Sequence, residues 1–97
     1  MPNTILTDVG STKLNVVKIF SKLKSISKKY NLKIVEDCAQ ACGALYKNQK
    51  AGSIGDIGCY SFYPTKIITS GEGGMLITNN RKIYNIARSY QNRGRNI

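Results

Sequence analysis

Histidine is absent from the sequence, and cysteine occurs only three times. Cys38 and Cys42 have a C-x-x-x-C spacing rather than the paired C-x-x-C spacing of zinc sites, and Cys59 lies farther along the chain. Without histidine, this set of thiols does not predict a metal site. The odd number of cysteines also argues against a disulfide framework, so we expect reduced, buried thiols in a cytoplasmic protein.

Long hydrophobic runs are missing as well. No apolar run approaches the roughly 20 residues that a helix needs to cross a membrane, and the first residues lack the pattern of a signal peptide. We therefore expect a soluble, cytoplasmic protein that has no membrane as a partner. A length of 97 residues allows one small domain with a modest core.

Acidic residues are scarce, because five Asp and Glu stand against 15 Lys and Arg, and the net charge is +10. Such a charge favours contact with nucleic acid or another anion. However, residues 14–30 have helical spacing, which places most of their lysines on a solvated face. Aromatic residues also do not alternate with basic ones, so we do not expect nucleic acid as a partner. The apolar side of this helix, which we expect to pack on a sheet, has Val16, Phe20, Leu23 and Ile26.

The remaining sequence predicts an α/β layer structure with an incomplete sheet. Asn31 is placed to end the first helix, Asn80 is placed to cap the last one, and residues 1–12 have no clear pattern. The predicted elements are a helix at 14–30, a buried parallel strand at 32–36, a short turn of helix at 38–43, a hairpin at 44–50, strands at 57–62 and 75–78, and a helix at 81–91.

Lys66 is the candidate catalytic residue of this sequence. It follows a predicted strand that stops at Pro64, and it precedes a glycine-rich turn at residues 71–74. A lysine fixed at a strand end is a candidate nucleophile rather than a solvated charge. Hydroxyl groups flank it on both sides in the sequence, at Ser61, Thr65, Thr69 and Ser70.

Asp37 follows the predicted strand at 32–36, and open α/β sheets bind ligands at the carboxyl ends of their strands. If both strands share an edge, the Asp37 carboxylate and the Lys66 amine face one pocket. A Schiff-base lysine opposite a carboxylate that keeps a pyridine nitrogen protonated is typical of pyridoxal phosphate chemistry. Ser61 would then donate its hydroxyl to the cofactor phosphate. The alternative is that Asp37 caps the strand end and that Lys66 is an ordinary surface lysine.

Three linked motifs add a family resemblance to this interpretation. Residues 34–44 (IVEDCAQACGA), 52–66 (GSIGDIGCYSFYPTK) and 71–75 (GEGGM) resemble the central signature of the DegT–DnrJ–StrS family of sugar aminotransferases. The likeness covers roughly residues 30–78. It implies an α/β fold, namely a fragment of the large domain of an aspartate-aminotransferase-like fold, which has a mixed sheet with flanking helices and binds pyridoxal phosphate.

The resemblance also implies roles for individual residues. Lys66 would form the Schiff base, and Asp37 would hold the pyridine nitrogen. Gln40 would lie near the ring and its phenolic oxygen, and Ser61 would contact the phosphate. Ile67 departs from the family, in which asparagine often follows the lysine.

By the same resemblance, residues 1–97 form a partial large domain, without its earlier phosphate-binding turn and without the carboxyl-terminal small domain. The implied reaction transfers an amino group, commonly from glutamate, to a nucleotide-linked keto-sugar for polysaccharide biosynthesis. The resemblance further implies a homodimer for the full-length enzyme. Because substrate contacts would come from the missing domain and the second subunit, we expect this segment to be inactive alone, with a complementing polypeptide as a possible partner. Two alternatives stay open, a basic anion- or nucleic-acid-binding module and a non-functional remnant of an aminotransferase gene.

Overall fold

The computed structural model describes residues 5–8 and 13–95, and it describes side chains from residue 19 onward. Its elements are β1 (Ile5–Asp8), α1 (Lys13–Tyr30), β2 (Lys33–Asp37), β3 (Leu45–Tyr46), β4 (Gln49–Lys50), β5 (Ile57–Ser61), β6 (Gly74–Ile77) and α2 (Arg81–Gln91). No helix in this described part is long and apolar enough to span a bilayer.

The main sheet has the strand order β1-β2-β5-β6. Strands β1, β2 and β5 run parallel, and β6 runs antiparallel to β5. Helix α1 connects two neighbouring parallel strands, β1 and β2, and contacts both of them, as the crossover of a parallel pair requires. The predicted α/β arrangement with a mixed sheet is therefore confirmed.

Strand β1 is an element that the sequence did not predict, since residues 1–12 have no clear pattern. Ile5–Asp8 pairs with β2 in continuous register, from Ile5 opposite Lys33 to Asp8 opposite Glu36. Four residues are too few to establish a period of two. This strand exists because β2 offers a hydrogen-bonding edge, which is a tertiary effect.

The prediction of a short turn of helix at residues 38–43 is wrong. The segment instead has single turns, in which the Ala41 N–H donates to the Cys38 carbonyl and the Ala44 N–H to the Ala41 carbonyl, both at 3.0 Å. Gly43, at a φ of +81°, lies inside the second of these turns. Each bond joins residues three apart, so the segment consists of isolated turns and lacks the consecutive i to i+4 bonds of an α-helix.

Helix α1 ends as predicted, with Asn31 at a φ of +52°. Its packing face is only partly as expected. Phe20 is buried and Leu23 is half-buried, whereas Ile26 is 41% exposed. The side chain of Val16 lies outside those that the structure describes. Among the described side chains of the helix, residues 19–30, Phe20 is therefore the only one that is buried.

Candidate active site

The parallel pair β2–β5 brings two of the predicted site residues to one place. Asp37 is paired with Cys59, and Ser61 lies two residues farther along β5. Because side chains alternate along a strand, Asp37, Cys59 and Ser61 share one face of the sheet at its carboxyl edge. This arrangement agrees with the expectation that Asp37 and the end of the following strand meet at one edge.

Asp37 is exposed at this edge, and its Oδ1 atom accepts a hydrogen bond from the Ala39 N–H at 3.0 Å. The bond forms a tight turn immediately after β2. Burial raises the pKa of the Cys59 thiol, and the negative charge of Asp37 raises it further. The Asp37 carboxylate therefore acts electrostatically on Cys59, which lies on the same strand as Ser61. Gln40 follows Asp37 in the turn and is exposed.

Lys66 lies in the loop between β5 and β6. The ends of the loop are joined by a bond from the Phe62 N–H to the Gly73 carbonyl at 2.9 Å. The Lys66 N–H donates to the Tyr63 carbonyl at 2.9 Å, and Lys66 is half-buried between two exposed neighbours. The Ser61 Oγ accepts from the Tyr63 N–H at 3.4 Å. Ser61 and Lys66 are thus both hydrogen-bonded to the backbone of Tyr63, Ser61 through its side chain and Lys66 through its own backbone N–H.

The hydroxyl groups that flank Lys66 in the sequence are only partly available to a ligand. The Thr69 hydroxyl donates to the Phe62 carbonyl at 3.0 Å, and the Ser70 hydroxyl donates to the Glu72 carbonyl at 2.8 Å. Both groups therefore stabilise the backbone of their own loop, which the spacing in the sequence did not reveal.

Glu36 has a role that the sequence analysis does not predict, because the residue lies within the predicted buried strand at 32–36. It is only 7% exposed, and its carboxylate accepts three backbone hydrogen bonds. The donors are the N–H groups of Gly52 at 2.6 Å, Ile54 at 2.7 Å and Gly55 at 2.5 Å. An acidic residue inside a buried strand, followed by a glycine-rich segment that can supply N–H donors, is the signal that could have predicted it.

The segment that Glu36 binds, residues 51–55, also packs against β5. Gly52 has a φ of +90°, and a side chain there would collide with the Tyr60 ring. A Cβ atom on Gly58 would overlap the backbone of Gly52. The Tyr60 hydroxyl donates to the Ala51 carbonyl. Burial, reinforced by the thiols of the 38–42 turn and by the Glu36 carboxylate, raises the pKa of Tyr60. Glycine is needed at position 58 because the two backbones are in contact, and at position 52 because of its positive φ and the adjacent Tyr60 ring.

Asp56 joins the amino end of β2 to the start of β5. Its carboxylate accepts from the Ile34 N–H at 2.9 Å and forms an ion pair with Lys33 at 3.3 Å. Its carbonyl accepts from the Thr78 hydroxyl at 2.7 Å. Asp56 and Glu36 therefore fasten opposite ends of β2 to the segment that precedes β5.

Comparison with known proteins places this geometry in context. The sequence model of the DegT/DnrJ/EryC1/StrS aminotransferase family matches residues 16–97. The lipopolysaccharide biosynthesis protein RfbH of Salmonella typhimurium is 44% identical over 75 residues, which are 77% of this chain and 17% of that protein.

Two solved structures have similar folds. An aminotransferase from Psychrobacter cryohalolentis matches with a TM-score of 0.74 at 43% identity, over 78% of this chain and 20% of its own. A GDP-4-keto-6-deoxymannose-3-dehydratase with a trapped PLP-glutamate geminal diamine matches with a TM-score of 0.75 at 26% identity, over 93% of this chain and 22% of its own.

The chain spans about a fifth of the length of these relatives. The structural matches confirm the predicted fold, a fragment of the large domain of a pyridoxal-phosphate-dependent aminotransferase. The family model covers most of the sequence, including Asp37, Ser61 and Lys66. On this evidence the chain belongs to the DegT/DnrJ/EryC1/StrS aminotransferase family.

Proposed function

We propose that this chain is part of the cofactor-binding domain of a sugar aminotransferase that uses pyridoxal phosphate. The carboxyl edge of β2 and β5 carries the proposal, because Asp37 and Ser61 share a face there and the loop with Lys66 leaves from the same edge. A carboxylate can bind a protonated pyridine nitrogen, a hydroxyl can donate to a phosphate, and an amine can condense with an aldehyde. The donor set therefore fits this cofactor.

Each residue has a distinct role in the proposal. Lys66 would hold the cofactor's aldehyde carbon through Nζ, with loss of water, and its Nζ would carry the proton that is moved in the reaction. Asp37 would hold the ring N–H, and its negative charge would favour the protonated nitrogen. Ser61 would donate its hydroxyl to the phosphate, and Gln40 would lie near the ring and its phenolic oxygen. When bound, the cofactor supplies an electron sink for the negative charge that develops at the substrate carbon.

The substrates are proposed from the relatives. The similar dehydratase is named for a GDP-linked keto-sugar, and its structure holds PLP with glutamate. We therefore assign glutamate as the amino donor and a nucleotide-linked keto-sugar as the acceptor, in a cytoplasmic pathway that makes polysaccharide precursors.

We further propose that residues 1–97 are a partial large domain that does not transaminate alone. The relatives are about five times longer than this chain. We therefore propose that further protein holds the substrate in register. It would come from the rest of a large domain, a small domain, a second subunit of a homodimer or a complementing polypeptide.

Reductive labelling tests the cofactor site. The purified chain is incubated with pyridoxal phosphate, treated with borohydride, and mapped by mass spectrometry. We expect the label to concentrate on Lys66 and to disappear in Lys66→Ala. Lys82→Ala, which removes an exposed lysine of α2, serves as the matched control and should keep the label. Label spread over many lysines, and unchanged in Lys66→Ala, would mean that no cofactor site exists.

Turnover is measured separately with glutamate and a panel of nucleotide keto-sugars. The chain alone should form no amino-sugar above the Lys66→Ala background. Amino-sugar formation by the wild-type chain alone, abolished in Lys66→Ala, would disprove the claim that further protein is required.

A further inference from the structure

We infer that Glu36 is a positioning residue for the site at the end of β2 and β5. Its buried carboxylate holds residues 51–55 against β2, and this contact fixes how β5 approaches Asp37. The inference adds a residue to the proposed function, and the part of it that concerns the cofactor rests on that proposal.

The two oxygens of Glu36 have different partners. Oε2 accepts from the Gly52 N–H, whereas Oε1 accepts from both the Ile54 and the Gly55 N–H groups. Among the described side chains the only ion pair is that of Lys33 and Asp56. The Glu36 carboxylate is therefore held by backbone N–H dipoles, as anions are in backbone nests.

Glu36 is coupled to β5 through Gly52. Gly52 contacts Tyr60 and Gly58, and Gly58 is the register partner of Glu36. The Tyr60 hydroxyl holds the neighbouring Ala51 carbonyl. Residues 51–55 thus bridge β2 and β5 on the face opposite Asp37 and Ser61. The bridge is attached at Glu36 and Tyr60, which directly precede Asp37 and Ser61 in the sequence. Loosening this bridge would change the separation of the two strand ends.

A glutamine at position 36 cannot reproduce these contacts. Its single carbonyl oxygen can accept from the Ile54 and Gly55 groups or from Gly52, and the amide NH2 would then oppose an N–H donor on the other side. Because two bonds outweigh one, the oxygen should stay with Ile54 and Gly55, which leaves the buried Gly52 N–H without an acceptor.

The test measures amide hydrogen exchange, residue by residue, in the full chain with Glu36→Gln. We expect the Gly52 amide to exchange about tenfold faster or more, and the Lys66 amide, bonded to Tyr63, to exchange several-fold faster. The matched control is Asp56→Asn, which removes a carboxylate bonded to a backbone N–H at the other end of β2. The Asn oxygen can keep the bond to the Ile34 N–H, so this variant loses the ion pair with Lys33 and should leave exchange at Lys66 unchanged.

Tyr60→Phe keeps the inference testable if Glu36→Gln does not fold. It removes the hydroxyl that holds Ala51 from the β5 side while Glu36 stays intact, so exchange at Gly52 and Lys66 should also rise. Unchanged exchange at Lys66 in the folded variants, or an equal rise in Asp56→Asn, would overturn the inference and leave Glu36 with a purely structural role.

A spectroscopic measurement separates this inference from the proposed function. In the cofactor-loaded chain, Glu36→Gln should shift the pH midpoint of the cofactor absorbance band, and Asp56→Asn should leave it in place. An unchanged midpoint in Glu36→Gln would count against a positioning role for Glu36. Failure of the wild-type chain to load cofactor on Lys66 would refute the proposed function, and the exchange data would still decide the role of Glu36.

Discussion

The centre of the sheet and its β6 edge are built differently. At the centre, Ile34 is 3% exposed and Glu36 is 7% exposed. At the edge, Met75 and Leu76 of β6 are 46% and 43% exposed, and none of the described residues of α2 is buried. An open groove of about 510 Å³ lies between β6 and α2, lined by Met75, Leu76, Tyr84 and Arg88 among others.

The difference shows that two kinds of interaction stabilise this chain. Helix α2 is held mainly by its own sequence, since Asn80 accepts from the Lys82 and Ile83 N–H groups at 2.9 and 3.1 Å. The β2–β5 centre is held by contacts between residues that are distant in sequence, such as Glu36 with Gly52. Disturbing the centre should therefore affect the whole fold, and disturbing the edge should have local effects.

The largest effect is expected for truncation of the core. Ile34→Ala should lower the free energy of unfolding by about 2–5 kcal/mol, because it deletes a buried side chain and leaves a cavity. Leu76→Ala is the matched edge variant. It should lower the free energy of unfolding by less than half as much, because the Leu76 side chain is already 43% exposed to solvent. Urea unfolding followed by circular dichroism measures both, since the chain has no tryptophan to report by fluorescence. Equal costs would contradict the distinction between centre and edge.

A moderate and local effect is expected for the helix cap. Asn80→Ala should destabilise α2 by about 1 kcal/mol, because two N–H groups of its first turn lose their acceptor. Hydrogen exchange at the Tyr84 amide, which is bonded to the Asn80 carbonyl, should rise about fivefold, while exchange at Gly52 stays constant. Asn85→Ala, at an exposed position of the same helix, is the control. A rise at Gly52 equal to that at Tyr84 would show that α2 and the centre unfold together.

The smallest effect concerns the Cys59 thiol. Its pKa is raised above the ordinary value of 9.0, first by burial and then by Asp37. Its alkylation by iodoacetamide should thus have a higher pH midpoint in the native chain than in urea. The associated stabilisation is present below the unfolded pKa and is lost as pH rises through the folded pKa. Asp37→Asn should lower the midpoint slightly, since burial is the larger cause. An unchanged midpoint in Asp37→Asn would mean that the carboxylate does not act on Cys59.

Much of the site was predictable because its residues lie at the ends of locally recognisable strands. Asp37 follows an apolar run and Lys66 follows a strand that stops at proline, so both could be proposed from the sequence. Their roles toward the cofactor stay predictions. The bonds of the Thr69 and Ser70 hydroxyls cannot be predicted from the sequence, because their acceptors are carbonyl groups whose positions depend on how the loop closes.

The sequence by itself determined the features that depend on neighbours along the chain. These are the period of α1, the end of that helix at Asn31 and the limits of α2, where helix geometry and side-chain capping act within a few residues. Only the tertiary structure decided the strand β1 and the role of Glu36. The pairing of β1 needs an edge supplied by β2, and the Glu36 carboxylate finds its three donors 16 to 19 residues away. Contacts over such separations depend on how the strands assemble, because a hydrogen bond forms only where folding brings donor and acceptor together.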